Sequence, residues 1–507
     1  MTIIGLPCLF SHMLFLDGKV GGIIRLLAIA FFWTGCTQDP AIIDETSEPN
    51  QEIEPISFDL DSIRRRGTLR VIIDNSSTGY FIYKGQPMGF EYDLLDLYAR
   101  ELGVALEFYL TTDLNSTFEL LNQGVGDIIA YSLTVTKERK KRVSFTVPHL
   151  QAQQMLIQKK PDNWRDLKLH QIERSLIRNQ VDLVGRTIVV RPGSAYVDRL
   201  RNLSDEIGED INIVEEYPEA STEEFIQMVS EGVIDYTIAD EHVALVNATY
   251  YSNIDVKTPI SFPQQIAWAV RKNSPLLLNS LNSWIDQMKD RPDYYVIFNK
   301  YFRNPKTQLA RVRSDYSNTF SGSKISPYDD IIIAAADDLG WDWKLLAAQI
   351  FQESRFDPKA RSWAGAVGLM QLVPRTGMAY GVTNLENPQS SLRAGAEHIK
   401  WLNDYWDQRV VDTLERTKFI LGSYNVGQGH VLDAYKLAEK YGEDPQLWDN
   451  TSKYLLKKSE EKYFQDPIVN FGYCRCTEPV EYVENIYDLY EHYRTLMDAQ
   501  EKQESSS

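Results

Sequence analysis

The sequence predicts two folded parts in series, a two-lobed α/β domain followed by a mainly α domain. Three observations carry this. Strand-like and helix-like stretches alternate from Leu69 onward, and the alternation restarts after Gly185, the texture of βαβ units in two halves. From Ser326-Pro327 to the end, apolar residues recur at helical spacing and no strand run stands out. The chain has 507 residues, more than one ordinary core accommodates.

The order of segments begins with Lys19 and Arg25, which precede the apolar run from Leu26 to Trp33. That run is short for a bilayer span and right for a signal-peptide core. It ends in Thr34-Gly35-Cys36, which resembles the lipobox of bacterial lipoproteins, although Trp33 stands where an aliphatic residue is usual. The resemblance implies a diacylated Cys36 as lipid anchor, and Thr37 rather than Asp behind it implies the outer membrane. An ordinary secretion signal is the alternative, and Met13 is an alternative start. Residues 1–36 are thus read as signal peptide and 37–56 as an acidic linker. Residues 57–304 form the α/β domain, 305–325 a second linker, 326–493 the α domain and 494–507 a tail.

Within the α/β domain, Leu69 to Ile73 reads as a strand. Gly89 to Leu102 reads as a helix with Phe90, Leu94, Leu97 and Tyr98 on one face and Gly103 as its stop. Val104 to Leu110 is the next strand, a helix lies around Phe118 to Asn122, and Asp127 to Ala130 follows. The second half repeats this with Thr187 to Val190, a turn at Gly193, a helix, and Ile234 to Ala239. Parallel sheets are expected. In the α domain, Tyr328, Ile331, Ile332, Ala335 and Leu339 form one apolar stripe and Trp343 to Ser354 another.

Composition narrows the function. A net charge of −18 argues against broad nucleic-acid binding, which needs a basic surface, and against an anionic membrane face. Four cysteines, Cys8, Cys36, Cys474 and Cys476, make no disulfide framework. Cys474 and Cys476 are separated by one residue, a spacing that strains a mutual bridge, so two semi-buried or loosely oxidised thiols are expected.

The chemistry centres on Glu353. Leu346, Ile350 and Glu353 share a helical face, so a carboxylate ends an apolar stripe. Burial and the helix C-terminus both raise its pKa, and a carboxyl protonated near neutrality is what a general acid needs. The ordinary alternative is a solvated glutamate at a fraying helix end. Its company argues otherwise: Glu353-Ser354, then Ala364 to Leu372 with Met370 and Gln371, then Gly422 to Gly427 with Tyr424 and Asn425, and late tyrosines including Tyr482. Tyr424 is expected to hold the Glu353 carboxyl, and Gln371 and Asn425 to offer amides to sugar hydroxyl and N-acetyl groups.

The segments Gln352-Glu353-Ser354, Gly368-Leu369-Met370-Gln371 and Ser423-Tyr424-Asn425-Val426-Gly427 resemble, in order and spacing, the signature motifs of the soluble-lytic-transglycosylase family. The resemblance spans about Ser326 to Tyr493 and implies a lysozyme-like α fold. It implies that Glu353 is the sole acid/base, with Ser354, Met370, Gln371, Tyr424, Asn425 and Tyr482 supporting the substrate. Glu353 would protonate the oxygen between N-acetylmuramic acid and N-acetylglucosamine. It would then take the proton of the muramoyl C6 hydroxyl, closing a 1,6-anhydro ring without water, metal or cofactor. No second carboxylate sits in a motif with the first, unlike the usual glycosidase pair.

The segments Gly89 to Leu94, Ser132 to Arg139 and Ile234 to Asp240 resemble the family-3 extracellular solute-binding proteins over about Ser57 to Asn304, which implies a periplasmic-binding-protein-like domain. By that resemblance Arg139 grips an α-carboxylate, Asp240 takes the α-amino group, and Ser194 and Glu91 join the ligand site. Together the two resemblances imply an envelope enzyme at the periplasmic face of the outer membrane, acting on peptidoglycan glycan strands. Its N-terminal module is expected to bind an amino acid or muropeptide and regulate cleavage. The rival readings are a muramidase-type hydrolase of the same fold, a catalytically decayed solute-binding lipoprotein, and a transport receptor.

Overall fold

A computed structural model of the chain describes residues 55–303 and 324–506, apart from Thr112 and Glu219. The signal segment, Cys8, the anchor position Cys36 and nearly all of both linkers lie outside the described residues.

In the first lobe the strand Thr68–Ile73 lies between Ala105–Leu110 and Ile128–Ile129, parallel to both. Leu69, Val71, Ile72 and Ile73 have no exposed surface, as befits a strand covered on both faces. Ala269–Val270 continues the sheet antiparallel to Ile128–Ile129, and Ser144–Phe145 ends it. The expected parallel sheet is therefore mixed. The chain leaves for the second lobe through Leu150–Ala152 and returns through Gln264–Ile266, which pair antiparallel. The returning strand re-enters the first sheet in the opposite direction. In the second lobe Gln154–Lys159 sits between Tyr236–Asp240 and Ile254–Pro259, antiparallel to both, while Thr187–Val190 pairs parallel with Asn212–Glu215.

Helix ends follow local chemistry. The helix Phe90–Leu102 stops at Gly103, whose φ of 73° is left-handed and whose N–H donates to the Ala99 and Arg100 carbonyls. The helix expected around Phe118 to Asn122 is longer, Leu114–Gln123, because the Asp113 carboxylate caps its first turn.

The C-terminal domain is built of helices, among them Asp329–Leu339, Trp343–Ser354, Pro388–Trp406, Thr413–Val426 and Thr477–Ser506. Among its described residues there is no strand, only isolated bridges from Val367 to Arg361 and Leu372. Ser326-Pro327 forms a turn rather than the helix itself: the Asp329 carboxylate accepts from the Ile325 and Ser326 N–H groups and from the Ser326 hydroxyl. Two expectations are corrected here. Residues 494–507 were expected as a tail, yet the last helix runs to Ser506, carried by Val480, Val483, Ile486, Leu489, Tyr493 and Leu496 buried at helical spacing. Cys474 and Cys476 are joined as a disulfide rather than left as thiols, because the backbone between them bends enough to set their Cα atoms 5.2 Å apart, within the bridging range.

The core of the first lobe runs without a break into that of the helical domain. The contact is a hairpin, Phe81–Tyr83 with Gln86–Met88, whose tip Gly85 meets the helical domain. Tyr493 donates to the Gly85 carbonyl at 2.7 Å, and the Tyr80 hydroxyl lies 2.7 Å from His492 Nδ1. Gly85 has φ 75°, and a Cβ there would come within 2.6 Å of both Phe351 and Phe356, the rings on either side of Glu353 in the chain. Beside the hairpin lies a cavity of about 1190 Å³, lined by Tyr92, Phe108, Gln352, Arg355, Asp488 and His492 among others.

Candidate active site

The helix Trp343–Ser354 starts at Asp342, whose carboxylate accepts from the Lys344 N–H, and buries Leu346, Ala347, Ala348, Gln349 and Ile350. This anchored stripe delivers Glu353, one turn past Ile350, half-buried at the helix end. The helix stops abruptly: Arg355 and Phe356 both adopt left-handed φ, 52° and 62°. Consecutive left-handed residues without a glycine are costly and concentrate at functional sites.

The Glu353 Oε1 accepts a 2.5 Å hydrogen bond from the Tyr482 hydroxyl. Burial pushes the Glu353 carboxyl up to about 7, the Tyr482 hydrogen bond opposes that, and the Glu478 charge adds to it. Tyr482 is itself buried on the last helix. Tyr424, the expected holder of the carboxyl, donates instead to the Met370 carbonyl at 2.8 Å. It stays close enough that the Glu353 charge raises its own phenol pKa, after the larger effect of burial. Two tyrosines thus divide the work, one on the acid and one on the loop.

That loop is closed from within. Gly368 has φ 85°, and any Cβ would meet the Leu385 carbonyl oxygen at 1.9 Å, so only glycine fits. Met370 is buried, with its N–H donated to the Ser391 hydroxyl. Gln371, at φ 46°, donates its side-chain amide to the Ala360 and Gly368 carbonyls. Its amide N–H groups, expected to reach a sugar, hold the loop instead. Ser354 likewise turns inward and donates to Ile350. Asn425 is half-buried, and none of the described residues hydrogen-bonds its amide, which leaves it available. The structure brings Glu353, Met370, Tyr424 and Tyr482 together. It adds Gln349, buried beneath Tyr482, and Glu478, neither of which stood out in the sequence as isolated polar residues. Among the described residues no group of His, Cys, Asp and Glu is placed to hold a metal.

The two-lobed domain encloses a cavity of about 70 Å³ whose walls include Arg139, Ser194 and Asp240. Arg139 spans the lobes, donating to the Thr134 carbonyl at 2.9 Å and the Gly193 carbonyl at 3.3 Å. Burial pushes its guanidinium down to about 10. Burial pushes Asp240 up to about 7, against the pull of Arg139. Among the described residues, one Asp240 carboxylate oxygen, the Ser194 hydroxyl and two Arg191 nitrogens are buried without a partner, an arrangement that invites a polar ligand. Glu91 does not belong there. It is buried in the first lobe, accepting from Trp268 Nε1 at 2.6 Å and lying 3.0 Å from His149 Nε2, because its helix turns that face to the core. Asp74, Arg191 and Glu223 line the cavity and went unnoticed in the sequence. Asp74 and Arg191 directly follow the strands Thr68–Ile73 and Thr187–Val190, and strand C-terminal ends are where α/β sheets bind ligands, a signal the sequence did hold.

Comparison with known proteins agrees with this layout. Residues 69–304 match the family model of bacterial extracellular solute-binding proteins, family 3, and residues 330–447 match the transglycosylase SLT domain. Among solved structures, an ancestral amino acid-binding protein, a precursor of cyclohexadienyl dehydratase, is 30% identical; the match covers 48% of this chain and 99% of that one, with a TM-score of 0.41. An ancestral arginine-binding protein bound to arginine is 27% identical, covering 47% and 99%, with a TM-score of 0.40. A membrane-bound lytic murein transglycosylase F of Desulfosudis oleivorans is 36% identical over 430 residues, 85% of this chain and 90% of its own. One from Pseudomonas fluorescens is 31% identical over 437 residues, 85% and 86%. With a site of this geometry in the second domain and matches that run through both, the chain belongs to the membrane-bound lytic murein transglycosylase F family.

Proposed function

We propose that this chain is a peptidoglycan lytic transglycosylase in which Glu353 is both acid and base. The observation that carries this is the Glu353 carboxyl itself, held by Tyr482 and pushed up to about 7 by burial. Near neutrality a large fraction of it keeps the proton that the oxygen between N-acetylmuramic acid and N-acetylglucosamine must receive. As the C1–O bond breaks, that proton leaves with the N-acetylglucosamine hydroxyl. The resulting carboxylate then takes the proton of the muramoyl C6 hydroxyl, whose oxygen bonds to C1 and closes the 1,6-anhydro ring. The test is mass spectrometry of products from purified sacculi: anhydro ends with wild type, and none with Glu353→Gln.

One observation favours a second reading. Glu478 acts electrostatically on Glu353, and a hydrolase needs a second carboxylate to activate water. Reducing ends that vanish in Glu478→Gln would establish that hydrolase and overturn the lyase.

The N-terminal cavity is assigned an amino acid, or a cell-wall peptide if the lobes open, with Arg139 for a carboxylate and Asp240 for an ammonium. Regulation of cleavage by that ligand is supported by the Gly85 hairpin, which joins the first lobe to Phe351 and Phe356 beside Glu353. Two-lobed modules close on ligand by hinge motion, and closure here would act on the Glu353 helix. Among the described residues no helix is long and apolar enough to cross a membrane. Attachment at the periplasmic face of the outer membrane is assigned to Cys36, whose replacement by alanine should release the protein into the soluble fraction.

A further inference from the structure

The helix Pro388–Trp406 carries a row of rings that the chemistry at Glu353 does not use. His398, Trp401 and Tyr405 stand three and four residues apart, on one face of the helix. The His398 and Trp401 rings are stacked nearly parallel, 8° apart with centroids at 5.6 Å, and Tyr405 follows at 6.0 Å. At its other end the row reaches the site: the His398 ring lies 5.2 Å from Tyr424, which senses the Glu353 charge. His398 is fixed from the side, its Nδ1 3.1 Å from the Tyr380 hydroxyl. Burial lowers its pKa, which favours the neutral imidazole beside the indole. Trp401 leaves 42% of its surface to solvent, although large apolar rings on this helix are otherwise sheltered, Trp406 completely.

We propose that Trp401, backed by His398, is a saccharide-stacking platform that holds a pyranose ring of the glycan strand away from the bond being cut. The inference rests on the reading of the substrate as a glycan strand. An indole offers a flat face with negative charge density, and the C–H face of a pyranose is apolar and faintly positive, so the two attract as other ring contacts do. A rigid ring loses little entropy on binding, and the stacked His398, itself bonded to Tyr380, limits the freedom of the indole. The row is continuous with the site through Tyr424. A strand gripped there is registered relative to Glu353, which favours long strands over short fragments.

The test uses the full chain and peptide-free glycan strands prepared by amidase treatment of sacculi. KM is measured for wild type, Trp401→Ala and Trp401→Phe. Trp401→Ala should raise KM roughly three- to tenfold, the range that one lost aromatic contact gives, with a smaller change in kcat, and Trp401→Phe should recover most of the loss. In the Glu353→Gln background, strand binding should change tryptophan fluorescence less once Trp401 is replaced by Phe. A Trp401→Ala protein that melts like wild type and keeps the wild-type KM overturns the platform. Wild-type protein that cuts no strands overturns the reading of the substrate instead.

Discussion

Tyr482 donates its hydroxyl proton to the Glu353 carboxylate at 2.5 Å, from 129 residues further along the chain. The bond favours the charged carboxylate, whereas burial favours the neutral acid, and burial prevails. The acid is therefore tuned by two opposed effects, and the one that comes from Tyr482 can be removed alone.

Replacing Tyr482 by phenylalanine removes the effect that lowers the Glu353 pKa. The pKa should rise further, and the alkaline limb of the pH–kcat profile should move to higher pH. A fall in kcat of about tenfold is expected, since a positioned general acid contributes about 10²–10⁴ and only its orientation is disturbed. A limb that moves to lower pH would contradict the arrangement.

Tyr424→Phe should behave differently. It leaves the Met370 carbonyl without its 2.8 Å partner, at about 1 kcal/mol in stability by denaturant unfolding. The alkaline limb should stay nearer its wild-type position than in Tyr482→Phe. Equal shifts in the two variants would mean that both tyrosines act on the carboxyl.

Glu353→Gln should stabilise the fold at alkaline pH. The folded pKa, about 7, lies above the ordinary 4.5, so the contribution of Glu353 to stability is complete below about 4.5 and is lost as pH rises through 7. Glutamine has no proton to lose. Above pH 8 the variant should exceed wild type by about 1–3 kcal/mol, and near pH 4 the difference should close. Thermal melts at both pH values decide it.

Gly85→Ala tests the joint between the domains. The new Cβ needs left-handed backbone and meets Phe351, Phe356 and the Tyr493 hydroxyl within 2.8 Å. A loss of about 1–3 kcal/mol is expected from overpacking and strain. If the hairpin acts on the Glu353 helix, kcat of the protein that remains folded should also change, although Gly85 touches no substrate. A stability loss with kcat intact would make the joint purely structural.

In the cavity between the lobes, Arg191 and Asp240 hold buried atoms that no described residue partners. Calorimetry with free amino acids and stem peptides should show binding to wild type. Arg139→Ala and Asp240→Asn should each weaken it by at least about tenfold, the cost of losing one charged hydrogen bond. Binding that survives both changes would place the ligand elsewhere.

Much of this protein is set by local chemistry, and local chemistry is legible in a sequence. The strand Thr68–Ile73, the Gly103 helix stop and the full span Trp343–Ser354 follow from side-chain periodicity and backbone preferences over a few residues. The motif around Glu353 is equally local, so its identity and the apolar stripe beneath it could be read directly. Partnership across the fold is different, because a hydrogen bond depends on where two helices cross and not on what either contains. Hence Tyr482 rather than Tyr424 reaches Glu353, Gln371 turns back into its own loop, and Glu91 joins Trp268 in the core. The antiparallel return through Ala269–Val270 and the meeting of Gly85 with Phe351 are of the same kind. Apart from Gln371, whose partners lie within its own loop, each joins residues more than a hundred positions apart, and only packing of the whole chain brings them together.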